Sequence, residues 1–451
     1  MADNLVQARV EAIRRLVRRR SARPLTRALV KSGPGDIAEA VAHLTQEQTL
    51  FLFNHLEDDR AGEVIVNLHD QDFQNVVQGV TFERLVAWLD GMEPDDEADV
   101  VARLSDELRE RVLTRIDADD RHDIEELLAW PEDSAGGIMS PVVFKVAEET
   151  TCRLAIEELQ QQGDVEMVFY LYVVNEHDQL VGVLSLRHLL VNPPSMPLRE
   201  LMSTDVIAVQ PETDQEEVAR IAARYDLLAV PVVDETRKLM GIITIDDVID
   251  VIREEAAEDL LKMAGVNEGL DPHGASATTS AMARMRWLTV TLFAGLVLSE
   301  VILGFEETLA SKAAIAGFIP VVMGMGGNVG IQASTITVRN LATGHVSRTE
   351  GIGQLLLRES RVGLMLGIAF GGALTAWGVF RYWPDWTVGA SVGLSVLLAL
   401  MVASVLGTII PLTLDRMKVD PAVATGPFVT TLIDLLAVVV YFIVCTEVFS
   451  L

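Results

Sequence analysis

The chain has 451 residues, room for two or three domains, and a formal charge of −29. That charge is uneven: ten acids against eight bases from Trp287 onward leave −27 on the first 286 residues. So acidic a half argues against nucleic-acid binding, and two cysteines in unlike segments, Cys152 and Cys445, give neither a disulfide framework nor a zinc site.

The start is basic and amphipathic (Arg14, Arg15, Arg18, Arg19, Arg20) and lacks the apolar core of a signal peptide. Residues 1–132 read as helix after helix, with apolar positions three and four apart (Leu50, Phe51, Phe53, Leu56; Val100, Val101, Leu104), which predicts a small helical superhelix. It carries no catalytic constellation. Asp95 and Asp99 share one helical face, with Glu63 on an earlier helix; a solvated face and a cation site both fit them.

Residues 133–245 hold an internal repeat. Met139-Ser140 returns as Met202-Ser203, and Gly182-x-x-Ser185 returns as Gly241-x-x-Thr244. Each copy predicts strand, helix, strand, strand, helix, and a period near 60 residues is too long for a short-repeat solenoid. The repeat resembles a tandem CBS pair, a ligand-sensing module. The resemblance implies a ribose-binding Asp three residues after the Ser or Thr. The second copy has it, as Thr244 and Asp247, whereas the first has His188. Thr244, Asp247 and Arg187 are therefore the candidate nucleotide contacts, with ATP the ligand to test; Thr244 and Asp247 also fit a capping box for the next helix.

That next stretch, 246–264, predicts an acidic connecting helix. Asp247, Asp250, Glu254 and Glu258 fall in one stripe at helical period, widened by Glu255 and Asp259, while Val248, Ile249, Ile252 and Leu260 point elsewhere. Stacked carboxylates need a cation against them, and an oxygen-only set suits Mg2+ or Ca2+ rather than zinc or copper. A Gly/Ser/Thr-rich linker, 265–283, leads to a membrane half, 284–451, with five apolar spans at about 286–307, 314–342, 355–380, 387–414 and 422–447. Arg284, Arg286, Arg339, Arg348, Arg358, Arg361, Arg416 and Lys418 flank the ends facing the N-terminal half. They predict that half to be cytoplasmic and the C-terminus external.

Two spans are unusual. The second carries Pro320, four glycines, Asn328 and Gln332 at membrane depth, which predicts either an interrupted helix lining a cavity or close helix packing. The fifth carries one carboxylate, Asp434, in an apolar run; a partner on a neighbouring helix and an ion site both fit it. Pro427 and the hydroxyls of Thr425, Thr430 and Thr431 predict a point where a backbone carbonyl is freed. Glu300 in the first span fits a bundle interior, an outer end or a path.

The runs Pro-x-x-x-Gly-x-Gly-Gly-Asn-x-Gly-x-Gln at 320–332 and Asp-Pro-Ala-x-Ala-x-Gly-Pro-x-x-Thr-Thr-x-x-Asp at 420–434 resemble the two signature segments of the MgtE family of Mg2+ channels. The order of helical domain, CBS pair, acidic helix and five spans matches that family over essentially the whole chain. The resemblance implies a homodimer in a bacterial plasma membrane, with lipid around it and one pore on the two-fold axis. Asp434 falls on the pore carboxylate and Thr430 on a position whose carbonyl holds the hydrated ion; Pro320, Gly327, Asn328 and Gln332 are pore-lining candidates. It also implies regulatory Mg2+ on Glu63, Asp95, Asp99, Asp214, Glu216, Asp226, Asp247, Asp250, Glu255, Glu258 and Asp259.

The function expected is Mg2+ uptake gated by intracellular Mg2+. Transport of Co2+, Mn2+ or Ca2+ is the main alternative, since carboxylate and water ligands do not rank these ions. A membrane-anchored CBS sensor is a second alternative, but it leaves Asp434 unexplained. No enzyme is expected: the chain has neither a His-Glu-x-x-His helix nor a glycine loop ending in Gly-Lys-Ser/Thr, and the Gly-Met-Asn signature of the CorA family is also missing.

Overall fold

The structure, a computed structural model, describes residues 2–161, 169–266, 277–342, 352–424 and 426–450. Thr425, Arg348 and most of the expected linker lie outside the described residues. The chain divides into two units, Met1–Glu254 and Glu255–Leu451.

The first unit begins with ten short helices between Ala2 and Leu127. Each buries one stripe: Ile13 and Val17, Leu25 and Leu29, Leu52 and Phe53, Trp88 and Leu89, and Val100 and Val101 are all essentially inaccessible. Helix starts follow from local chemistry. Pro34 and Pro94 occupy first-turn positions, and Thr45 forms a capping box with Gln48.

The repeat folds as expected in its first copy, with β1 (Lys145–Ala147), β2 (Tyr170–Val174) and β3 (Leu180–Ser185) in one sheet. Strand β1 pairs parallel to β2, which pairs antiparallel to β3. The second copy departs from expectation. Only β4 (Ala229–Val233) and β5 (Leu239–Thr244) form its sheet, and the leading strand is reduced to a bridge between Val209 and Val232. The two copies interlock through the repeated Met-Ser pair. Ser140 bridges to Ile242 of the second copy and Ser203 to Val183 of the first. This crossing explains the glycines: a Cβ at Gly241 would lie 2.6 Å from the Ser140 carbonyl oxygen, and one at Gly182 2.3 Å from Met202 Sδ. One core runs from Val10 through the second copy to Val251, while the first copy keeps a separate cluster around Cys152 and Leu171.

The connecting helix is Ile245–Met263. It closes with a Schellman turn: Gly265, at φ +68°, donates to the Lys262 carbonyl at 3.0 Å, and Val266 to that of Leu261 at 2.9 Å.

Among the described residues the second unit carries five helices long and apolar enough to span a bilayer: Ala277–Leu303, Ala313–Ala342, Ile352–Tyr382, Trp386–Arg416 and Pro427–Phe449. The first starts inside the stretch assigned to the linker. Spans three and four meet through small residues four apart, with Gly363, Gly367 and Gly371 against the backbone of Met401, Leu397 and Gly393. A row of buried hydroxyls on span four, Ser391, Ser395, Ser404 and Thr408, is satisfied largely by carbonyls of its own helix and by the Glu359 carbonyl of span three.

Two expectations are corrected here. The second span is not interrupted: Ile319–Ala342 is one helix, because Pro320 sits in its first turn, where no intrahelical N–H is lost. Gly330 serves packing instead, since a Cβ there would meet Ile433 of span five and one at Gly407 of span four would lie 2.5 Å from the Gly330 carbonyl oxygen. Pro427 likewise opens the fifth helix rather than breaking it.

Candidate ion path and regulatory carboxylates

In the second unit, Asp434 sits two turns into the fifth span, half-buried. Among the described residues its carboxylate has no hydrogen-bond or ion-pair partner, so no neighbouring helix satisfies it. It lines an open cavity of about 540 Å³, walled by Thr291, Ala294, Gly295 and Leu298 of span one, Met323 and Ile331 of span two, Gly426 just before span five, and Pro427, Thr430 and Thr431 on it. Six waters occupy ~180 Å³ in the liquid, so a fully hydrated divalent ion fits.

Gly327 backs the carboxylate; a Cβ there would lie 3.1 Å from Asp434 Oδ1. Thr430 lines the same wall and turns its hydroxyl to the Gly426 carbonyl at 3.3 Å, while the Thr431 hydroxyl donates to that of Pro427 at 2.6 Å. Asn328, Gln332 and Pro320 are exposed on span two but are not part of this wall. Glu300 is exposed near the far end of span one.

Met263 and Ala264, at the end of the connecting helix, close part of the cavity. The contact is tight: a Cβ at Gly426 would lie 2.9 Å from the Met263 carbonyl oxygen, and one at Gly265 2.6 Å from Pro427 Cγ. Lys262 bridges Glu258 on its own helix to Asp420 in the loop before span five, the latter at 2.7 Å. Sequence reading missed Lys262 as a site residue, and it quoted Asp420 only as part of a motif. A lone base at the end of an acidic helix was the available signal.

In the first unit, three sequence-predicted carboxylates converge. Asp95 and Asp99, on the helix Pro94–Ala102, and Asp247, in the first turn of the connecting helix, act on one another electrostatically. Burial, then the charge of Asp96, pushes Asp95 up to about 6. Burial likewise pushes Asp247 up to about 7, with Asp95 and Asp246 adding to it, and Asp99 up to about 7, with Asp96, Asp95, Glu132 and Asp247 adding. Asp99 remains open to solvent on one side. Asp95 Oδ1 is buried and has no hydrogen-bond partner among the described residues. A cation would relieve all three groups.

The remaining acids are dispersed. Glu63 pairs with Arg60 at 2.5 Å, Asp214 caps the helix Gln215–Tyr225, Glu216 faces Arg220, and Asp226 ends that helix in the left-handed region. Asp250 pairs with Arg253 at 3.1 Å, and Glu255, Glu258 and Asp259 lie further along the connecting helix. Among the described residues no three His, Cys, Asp or Glu side chains stand close enough to hold a metal on their own.

The nucleotide candidates sit in two different local settings. Thr244 donates its hydroxyl within the acidic turn, 2.7 Å from Asp247 Oδ2 and close to Asp246 as well. Ser185 caps the helix Leu186–Val191 through the His188 amide, and Arg187 and His188 are exposed.

Comparison with known proteins agrees with this layout. A family model described as a divalent cation transporter matches residues 319–444, one for the MgtE intracellular N domain matches 32–133, and one for the CBS domain matches 135–193 and 198–254. The magnesium transporter MgtE of Bacillus subtilis is 34% identical over 415 residues, covering 92% of this chain and 91% of that one. The magnesium transporter MgtE of Thermus thermophilus is 34% identical over 425 residues, covering 93% and 94%. The cytosolic domain of the Mg2+ channel MgtE, solved in complex with ATP, superposes with a TM-score of 0.51 at 33% identity, over 54% of this chain and 99% of that one.

Proposed function

The chain belongs to the MgtE family of divalent cation transporters, and we propose on that footing that it carries Mg2+ across a cell membrane past Asp434. The observation that carries this reading is a carboxylate without a partner among the described residues, half-buried on the wall of a cavity large enough for a hydrated ion. Mg2+ surrenders its waters reluctantly, so Asp434 and the polar groups near Thr430 act on the ion through its inner shell. A divalent ion gains twice the Coulomb energy of a monovalent one from the same carboxylate.

Two copies bring two Asp434 side chains to one path. The exposed apolar flanks of span one and the open side of the cavity support that assembly, in which a second copy and lipid cover the remaining surface. The arginines and lysines flanking the spans support a cytoplasmic N-terminal half.

Internal Mg2+ closes the path. At low Mg2+ the Asp95, Asp99 and Asp247 carboxylates repel one another, and at high Mg2+ the ion bridges them and favours one arrangement of the connecting helix. That helix ends at Met263 and Ala264 on the cavity wall, so its position bears directly on Asp434. Selective binding to one arrangement shifts its population. ATP is a second effector to test at Thr244, Asp247 and Arg187. Mg2+ uptake into proteoliposomes, in competition with Co2+, Mn2+ and Ca2+, tests the transport reading: Mg2+ should permeate when its external concentration exceeds the internal one. Uptake of another divalent ion with Mg2+ excluded would reassign the substrate.

A further inference from the structure

Residues 12–35 contain eight cations and no acid, in a chain whose net charge is −29. The segment covers the end of the helix Ala2–Arg18, a turn, and the helix Ala22–Leu29. Its apolar side is already used, because Ile13, Val17, Leu25 and Leu29 are buried in the core of the first unit. The other side is exposed and carries Arg15, Arg18, Arg19, Arg23, Arg27 and Lys31. Among the described residues none of these six lies within ion-pair distance of a carboxylate, in contrast to Arg9, which pairs with Asp36, and Arg20, which pairs with Glu47.

Helix dipoles account for Arg15, Arg18 and Arg27, which stand in last turns, but not for Arg19, Arg23 or Lys31. Val30 stands 69% exposed between Arg27 and Lys31. Arg20 adopts a positive φ of 50° at a helix end, where glycine is the usual residue.

We propose that the basic face from Arg15 to Lys31 docks on anionic lipid headgroups. The chain brings its own bilayer through five spans, so this face meets lipid at high effective concentration and modest affinity suffices. The acidic surfaces elsewhere do not cancel the attraction, since charges beyond a Debye length of about 8–10 Å are largely screened. Anionic lipids are also single mobile charges that can gather under a small patch. A nucleic-acid duplex is a stiff polyanion whose charges are fixed in line, which a patch this small engages only in part. An exposed valine among cations matches the apolar-plus-basic chemistry of an interfacial contact.

The test uses the full chain in nanodiscs at fixed Mg2+. A fluorophore is placed at Ala22→Cys, an exposed position, while the native Cys152 and Cys445 are buried. A headgroup-attached quencher reports docking. Quenching is expected in discs containing anionic lipid, weaker at high salt, and absent in purely zwitterionic discs. At about fivefold per basic residue, Arg19→Gln combined with Arg23→Gln lowers the docked-to-free ratio roughly twenty- to thirtyfold, and Arg19→Lys with Arg23→Lys retains docking. Equal quenching in both kinds of disc, or a Gln pair that quenches like the parent, overturns the proposal. So does RNA protection of the same probe without lipid dependence, which would assign the face to nucleic acid.

Discussion

Asp247→Asn isolates the electrostatic strain that the proposed gate depends on. Asn keeps the shape and can still accept from the Thr244 hydroxyl, which lies 2.7 Å from the carboxylate, so packing is preserved. In the parent chain, burial first and the charges of Asp95 and Asp246 next raise Asp247 from 3.8 to about 7. A carboxyl raised in the folded state contributes its full stability below about pH 4 and loses it as pH rises through about 7. Three pH units correspond to roughly 4 kcal/mol, which solvent screening at a partly exposed site reduces to about 1–2 kcal/mol. Hydrogen exchange in the full chain, read on Pro94–Ala102 and the start of Ile245–Met263, measures it. With Mg2+ chelated, protection in the parent should fall between about pH 4 and 8, and Mg2+ should restore it near neutrality. The Asn variant should show a flatter pH profile, higher protection without Mg2+, and a Mg2+ response about tenfold weaker. Identical pH slopes and Mg2+ responses in the two proteins would refute the argument.

Gly407→Ala places a methyl 2.5 Å from the Gly330 carbonyl oxygen and 3.0 Å from Ala333 Cβ. Backbone cannot yield cheaply, so thermal unfolding in detergent should show a loss of about 1–3 kcal/mol; an unchanged midpoint would argue against this packing. Tyr441→Phe leaves the buried Ile315 carbonyl, now accepting from the Tyr441 hydroxyl at 2.7 Å, without that donor. The same assay should show about 1–3 kcal/mol lost. His188→Asp restores a carboxylate to the first CBS copy, and calorimetry should then record adenine-nucleotide affinity rising about tenfold, as a charged hydrogen bond is worth ~1.5 kcal/mol or more.

The architecture was legible because its signals are long and redundant. Five apolar runs, a duplicated Met-Ser and Gly-x-x-Ser/Thr pattern, and an acidic stripe at helical period each specify an element without tertiary help. The connecting helix, Ile245–Met263, falls within one residue of the expected ends. What failed was the reading of Pro and Gly in the membrane half. Proline disrupts a helix interior but fits its first turn, and only the helix boundary at Ile319 or Pro427 tells the two apart. Gly330 fitted a break in the second span, yet it is a contact point with Ile433 and Gly407 on helices far apart in sequence.

The site was half legible. An acid in an apolar span announces Asp434, but that no neighbouring helix satisfies it needed coordinates. Asp247 lies about 150 residues from Asp95 and Asp99 in the chain, and only the resemblance to relatives brought them together. Lys262 stands as the base in the last turn of an acidic helix, but its bridge to Asp420 is purely tertiary.

The measurement that bears most directly on the ion path is Mg2+ flux through Asp434→Asn in proteoliposomes, with circular dichroism and size-exclusion profiles matched to the parent. At ~5 Å and an effective dielectric between about 80 and 20, each carboxylate attracts a divalent ion by roughly 2–7 kcal/mol. Neutralising it at the cavity wall should cut flux by more than tenfold, with the protein still folded. Flux within a factor of about two of the parent would place the ion's route elsewhere, since the attraction above predicts a loss far larger than that.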